Sequence, residues 1–171
     1  MDGLRTVVLI MATVATGLMA GVFGIYAVAI MPGLRTTDDR TFIGAYQAID
    51  RAIINPLFLA TFLGALILSI AAALLSFGGD SRSVLFWAAA AAVLYLVAVV
   101  ITFAVHLPLN DALKAAGAPA DLADPAAVRE AFAESRWVAW NIVRAVTSTA
   151  AFVCLSWALV MWGKAQAQSV N

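Results

Sequence analysis

The chain has 171 residues, of which 64% are hydrophobic and only 12% charged, with a mean hydropathy of +0.96; an ordinary soluble domain carries about 25% charged residues. Ten basic and ten acidic side chains cancel, leaving no basic stripe for nucleic acid or for a polybasic lipid contact. The single cysteine, Cys154, excludes an intrachain disulfide and a cysteine-built metal cluster.

Four apolar runs, residues 7–31, 57–77, 84–107 and 137–162, each meet the roughly 20 helical residues needed to cross a hydrocarbon core of about 30 Å. They predict an all-α polytopic membrane protein, a four-transmembrane-helix bundle forming one domain over residues 1–171. The first run is too long for the roughly 7–15 apolar residues of a signal core, so it reads as a retained span. Its Gly17, Gly21 and Gly24, with "GLMAG" as a small-xxx-small pattern, predict close helix packing. Tyr26 lies about a turn and a half before the end of this run.

In the first large loop, Thr37 is a plausible N-cap, Asp38 and Asp39 suit a first helical turn, and Phe42, Tyr46, Ile49 and Ile53 recur at helical spacing. This predicts an amphipathic helix over about 38–52 lying on the membrane interface. Its charges, Asp38, Asp39, Arg40, Asp50 and Arg51, could form a polar lid over the bundle mouth, but read by default as a solvated face. Asn55 then caps the second span, with Pro56 as its first residue.

Spans two and three carry no Asp, Glu, Lys or Arg, and "GGDSRS" between them reads as a tight turn. Span three is expected to end at Pro108 in "VHLPLN", which places His106, the only histidine, four residues before Asn110. A lone histidine at a helix end is more often a hydrogen-bonded interfacial residue than a catalyst, and without Cys, Asp or Glu in the spans it assembles no metal site. Gly117 and Pro119 interrupt the second large loop. Asp124 and Pro125 then open a helix with no breaker before Gly163, on the order of 58 Å long. Its outer part projects beyond the bilayer, so Val128 and Phe132 need a cover: the first-loop helix, a second copy or a protein partner.

The fourth span contains Trp137, Trp140, Asn141 and Arg144 at i, i+3, i+4 and i+7, along one helix face. A central arginine costs about 2.5–3.5 kcal/mol on the insertion scale. An interfacial tryptophan belt with a snorkelling arginine is one reading; the short Asn141 side chain favours the other, an inward polar site. The end, residues 164–171, reads as a disordered tail.

An even number of spans brings the end of span one, the start of span two, the end of span three and the start of span four to one side. Asn55, His106, Asn110, Trp140, Asn141 and Arg144, with Tyr26, are thereby candidates for one bundle mouth. Arg35, Arg40, Arg51, Lys114, Arg129 and Arg136 in the large loops, against Arg5, Arg82 and Lys164 opposite, favour cytoplasmic large loops. The Arg-over-Lys, Ala-rich composition suggests a bacterial inner membrane.

The segments "MPGLRTTDDRTFIGAYQAIDRAIINPLF", "LPLNDAL" and "RWVAWNIVRAV" resemble the anthrone oxygenase-like family of small four-helix membrane proteins. The matching residues are Asn55 and Pro56, Pro108 and Asn110, and Trp140, Asn141 and Arg144. The chain departs from the pattern at Ile142, where many members have His, and at His106. The resemblance implies cofactor-free oxidation of a lipophilic aromatic or quinone-type substrate: a base removes an acidic benzylic proton and the resulting anion reacts with O₂. In that scheme His106 is the candidate base, Arg144, Asn141 and the Trp140 indole stabilise the oxyanion, and Asn110, Asn55 and Tyr26 help hold the substrate. The alternative is a non-enzymatic bundle docking a lipid, a quinone or a protein. A transporter is least supported, since no internal repeat is present.

Overall fold

The computed structural model describes residues 2–77 and 82–169. Six helices account for most of them: α1 Asp2–Arg35, α2 Asp39–Ile53, α3 Pro56–Leu75, α4 Arg82–Ala115, α5 Pro125–Ala131 and α6 Glu134–Ser169. No strand occurs among the described residues. Helices α1, α3, α4 and α6 are long and apolar enough to cross a membrane, and they pack in a ring in which α1 and α4 each touch both α3 and α6. In hydrocarbon every backbone polar group must be satisfied within its own segment, which only a continuous helix achieves here. Several hydroxyls follow the same rule: Thr13, Ser69 and Thr149 each donate to the carbonyl four residues back.

The seams between spans are lined by small residues, among them Ala12, Ala65, Ala88, Ala91 and Ala151, all fully buried, while larger side chains such as Leu18, Leu63, Phe86 and Val93 project outward. Small residues let helices approach without a hydrophobic driving force between them. A Cβ at Gly17 would meet the Phe152 ring at 2.9 Å, so this glycine sets the approach of α1 to α6; Gly21 and Gly24 have nothing within 4 Å. Of the predicted glycine motif, only Gly17 packs.

Pro108 does not end the third span as expected. A π-helical turn over Thr102–His106 precedes it, closed by the Leu107 N–H donating to the Thr102 carbonyl, and the helix runs on to Ala115. The wider turn shifts the hydrogen-bond register just before the proline, where an α-helical carbonyl would otherwise clash with its ring. Helix α1 uses the same device, with a π turn over Tyr26–Ile30 ahead of Pro32.

The large loops form a second, ordered core over one end of the bundle. Asp38, not Thr37, caps α2: it is extended and its carboxylate accepts from the Thr41 N–H, whereas the Thr37 hydroxyl donates to the Leu34 carbonyl. A full negative charge at the helix N-terminus is the stronger cap. The apolar face of α2 lies against the chain itself: Phe42, Ile43 and Tyr46 are buried with Leu113, Phe132 and Trp137. The Gln47 amide donates to the Leu113 and Gly117 carbonyls at 2.9 and 3.0 Å, tying α2 to the end of α4. Arg40 donates to the carbonyls of Pro119, Ala120 and Leu122, and Arg129 pairs with Asp39 and Glu134.

The long helix expected from Pro125 is broken. Ala133 takes a left-handed conformation, φ 52°, which ends α5 and restarts the chain as α6. The bend folds α5 back so that Phe132 packs on Phe42 and Tyr46, with ring centres 5.7 and 4.7 Å apart. Within the chain, α2 therefore covers the face that needed a partner. At the other end α6 continues past Gly163 to Ser169, where a disordered tail was expected: one glycine costs a helix about 1 kcal/mol, and the following Lys, Gln and Ala are good helix formers. Residues 78–81 of the predicted turn, and residues 170–171, lie outside the described residues.

Candidate functional site

A cavity of about 260 Å³ lies under α2, at the end where the four spans meet the loop core. Its walls are mainly apolar, from Val22 and Phe23 of α1, Phe58 and Phe62 of α3, and Phe103 of α4. Two polar groups interrupt them.

The deeper group centres on Arg144, 6% exposed. Fully buried Asn141 positions it: the amide nitrogen donates to the Phe23 carbonyl at 3.0 Å and the amide oxygen accepts from Arg144 at 2.8 Å. A second guanidinium nitrogen donates to the Thr102 hydroxyl at 3.1 Å, while Nε has no partner. The guanidinium carbon stands 4.4 Å from the Phe23 ring centre and 5.6 Å from that of Trp137. Among the described residues no carboxylate lies within 4.0 Å of it. Rings and neutral dipoles hold this cation, and a buried charge without a counter-ion is costly. Both π turns border it, one following Phe23 and the other beginning at Thr102.

The second group surrounds Asn110. Its amide oxygen accepts from the Tyr46 hydroxyl at 2.8 Å and the Trp137 indole N–H at 2.9 Å. Its amide nitrogen donates to Asp50 Oδ1 at 2.8 Å. An indole N–H can only donate, so the orientation of this amide is determined. Asp50 is 6% exposed. Its Oδ2 lies 3.3 Å from the Lys114 ammonium, which also reaches exposed Asp111 at 2.9 Å. Burial, with the Asp50 charge nearby, raises the pKa of the Tyr46 phenol far above its ordinary value, so it acts here as a neutral donor.

Of the residues expected at this mouth, Tyr26, His106, Asn110 and Arg144 line the cavity, and Asn141 stands behind Arg144. His106 is 2% exposed, with its ring nitrogens 3.4 Å from the Ile101 carbonyl and 3.2 Å from the Trp137 carbonyl. Two residues lie elsewhere. Asn55 is exposed and caps α3, accepting from the Phe58 N–H. Trp140 is 40% exposed and is not part of the cavity wall. At about 100° per residue, Asn141, Arg144 and Trp140 stand at about +40°, −20° and −60° from Trp137, so Trp140 is at the outer edge of the stripe. Trp137 takes the inward place. Ile142, also exposed, is outside the cavity too, so a histidine at that position is not needed to build this wall.

Sequence reasoning missed Tyr46 and Lys114 as cavity residues, and weighed Asp50 only as part of a polar lid and Trp137 only as part of the span-four stripe. A signal was present: Asp50 follows Tyr46 by four residues within the apolar stripe of α2, and Lys114 follows Asn110 by four on α4, two matched i, i+4 pairs. Among the described residues no three His, Cys, Asp or Glu side chains gather as metal ligands.

The anthrone oxygenase family model matches residues 42–154, about two thirds of the chain, from the face of α2 that roofs the cavity to the middle of α6. No curated protein and no solved structure matches.

Proposed function

Because the chain belongs to the anthrone oxygenase family, we propose that it oxidises a lipophilic aromatic or quinone-type substrate with O₂ in the cavity under α2, without a cofactor. An anthrone has an acidic methylene conjugated with a carbonyl. Loss of its proton yields an electron-rich anion that reacts with O₂, and its charge rests largely on the carbonyl oxygen.

The carrying observation is Arg144, a buried guanidinium with no carboxylate partner among the described residues, on the wall of an apolar cavity. An oxyanion that forms beside it gains a counter-ion in a low-dielectric site, and the preorganised Asn141 and Thr102 contacts mean that little has to move. Phe23 and Trp137 offer ring faces to a flat substrate. Leu59, Leu63, Phe103 and Leu107 both line the cavity and rank among the exposed hydrophobic residues. The cavity therefore opens between α3 and α4 toward lipid, the phase in which such a substrate dissolves. Using His106 as the base requires its imidazole to give up a main-chain carbonyl.

The test is oxygen uptake by the protein in lipid nanodiscs given unsubstituted anthrone, beside Arg144→Leu. Wild type should exceed the spontaneous rate and the variant should not. A wild type that binds the anthrone without accelerating uptake would instead support the binding role, in which Arg144 retains an anionic quinone-type ligand.

A further inference from the structure

We propose that Asp50 is the proton acceptor of this site, with Lys114 as the residue that positions it; this assignment rests on the oxidative reading above. Asp50 and Arg144 are both buried and both line one small cavity, yet they form no ion pair with each other. Opposite charges left apart across an apolar space suit a substrate that is deprotonated at one end and acquires negative charge at the other. The Asn110 amide, itself locked by Tyr46 and Trp137, fixes one carboxylate oxygen and leaves the other to the Lys114 ammonium. At 3.3 Å that ammonium holds the second oxygen in place. His106 has no comparable freedom, since both its nitrogens are turned to main-chain carbonyls.

The proton balance explains how so enclosed a base can turn over. The methylene C–H gives its proton to the Asp50 carboxylate, and its electron pair passes into the conjugated oxyanion beside Arg144. Those electrons reduce O₂ as the C–O bond forms, and the resulting peroxide anion takes the proton back from Asp50. Asp50 then accepts the second C–H proton while the O–O bond breaks; the carbon becomes a carbonyl, and the departing hydroxide takes that proton to become water. A methylene and O₂ become a ketone and water, Asp50 ends ionised, and no net proton has to reach solvent.

Proton abstraction can be measured apart from oxidation. Without O₂, wild type in nanodiscs in D₂O should accelerate exchange of the anthrone methylene hydrogens, followed by mass spectrometry, because partly exposed Lys114 can supply deuterons to Asp50. Asp50→Asn should lose about 100-fold or more of that exchange, the scale of a general base, and Asp50→Glu should recover part of it. Quenching of tryptophan fluorescence by anthraquinone reports whether each variant retains a folded site. Exchange unchanged in a folded Asp50→Asn overturns the assignment while leaving the oxidative reading intact. Wild type that neither exchanges the methylene nor consumes O₂ overturns both. Should Asp50→Asn fail to fold, Asp50→Ser takes its place, and an unchanged exchange rate in that folded variant overturns the assignment.

Discussion

Replacing Asn141 by Leu tests whether Arg144 is held by design. The change keeps the number of side-chain heavy atoms at a fully buried position and removes two bonds: the 3.0 Å donation to the Phe23 carbonyl and the 2.8 Å acceptance from Arg144. An interhelical hydrogen bond between neutral groups in a membrane is worth about 0.6–1.7 kcal/mol, and one to a charged group about 1.5–3. Their sum gives an expected loss of roughly 2–5 kcal/mol. Adding Arg144→Met should return part of that loss, because exchanging a buried polar pair for apolar residues is often neutral, whereas removing one partner strands the other. The assay is reversible SDS unfolding in mixed micelles, read by tryptophan fluorescence for wild type, both single variants and the double variant. A loss below about 1 kcal/mol in Asn141→Leu, or strict additivity in the double variant, would refute the coupling.

Phe132→Ala should destabilise the loop core by about 3–5 kcal/mol and speed tryptic cleavage at Arg40 and Arg51; an unchanged cleavage rate would show that α2 is not held by this ring. Ala133→Gly should raise stability by up to about 1 kcal/mol, since the left-handed conformation is strained for alanine and free for glycine, and Ala133→Val should lower it, both read from the unfolding midpoint. Hydrogen bonds from the Thr41 hydroxyl and amide hold the exposed Asp38 carboxyl below its ordinary value of 3.8. With the folded pKa depressed, its capping contribution is complete above that ordinary value and is lost as pH falls through the lower folded one. An NMR titration of Asp38 giving a pKa at or above 3.8 would contradict the cap.

The spans were legible because membrane insertion is decided locally: about twenty apolar residues in a row have few other places to go. Caps at Asn55 and Asp124 were legible for a similar reason, each acting within three residues of itself. Arg144 and Asn141 showed themselves through cost, since neither is tolerated facing lipid. Tertiary structure decided the remainder. Whether Trp137 or Trp140 turns inward depends on how α6 is rotated against α1 and α4, about 60° separating the two outcomes. Pro108 passes within a helix because Thr102–His106 widens into a π turn, a local rearrangement whose carbonyls and side chains are shared with neighbouring helices. Asp50 is an ordinary surface acid until Asn110 and Lys114, sixty or more positions away in the chain, arrive on its helix. Burial and partners make that carboxylate unusual, and both come from packing between segments that are remote in the chain.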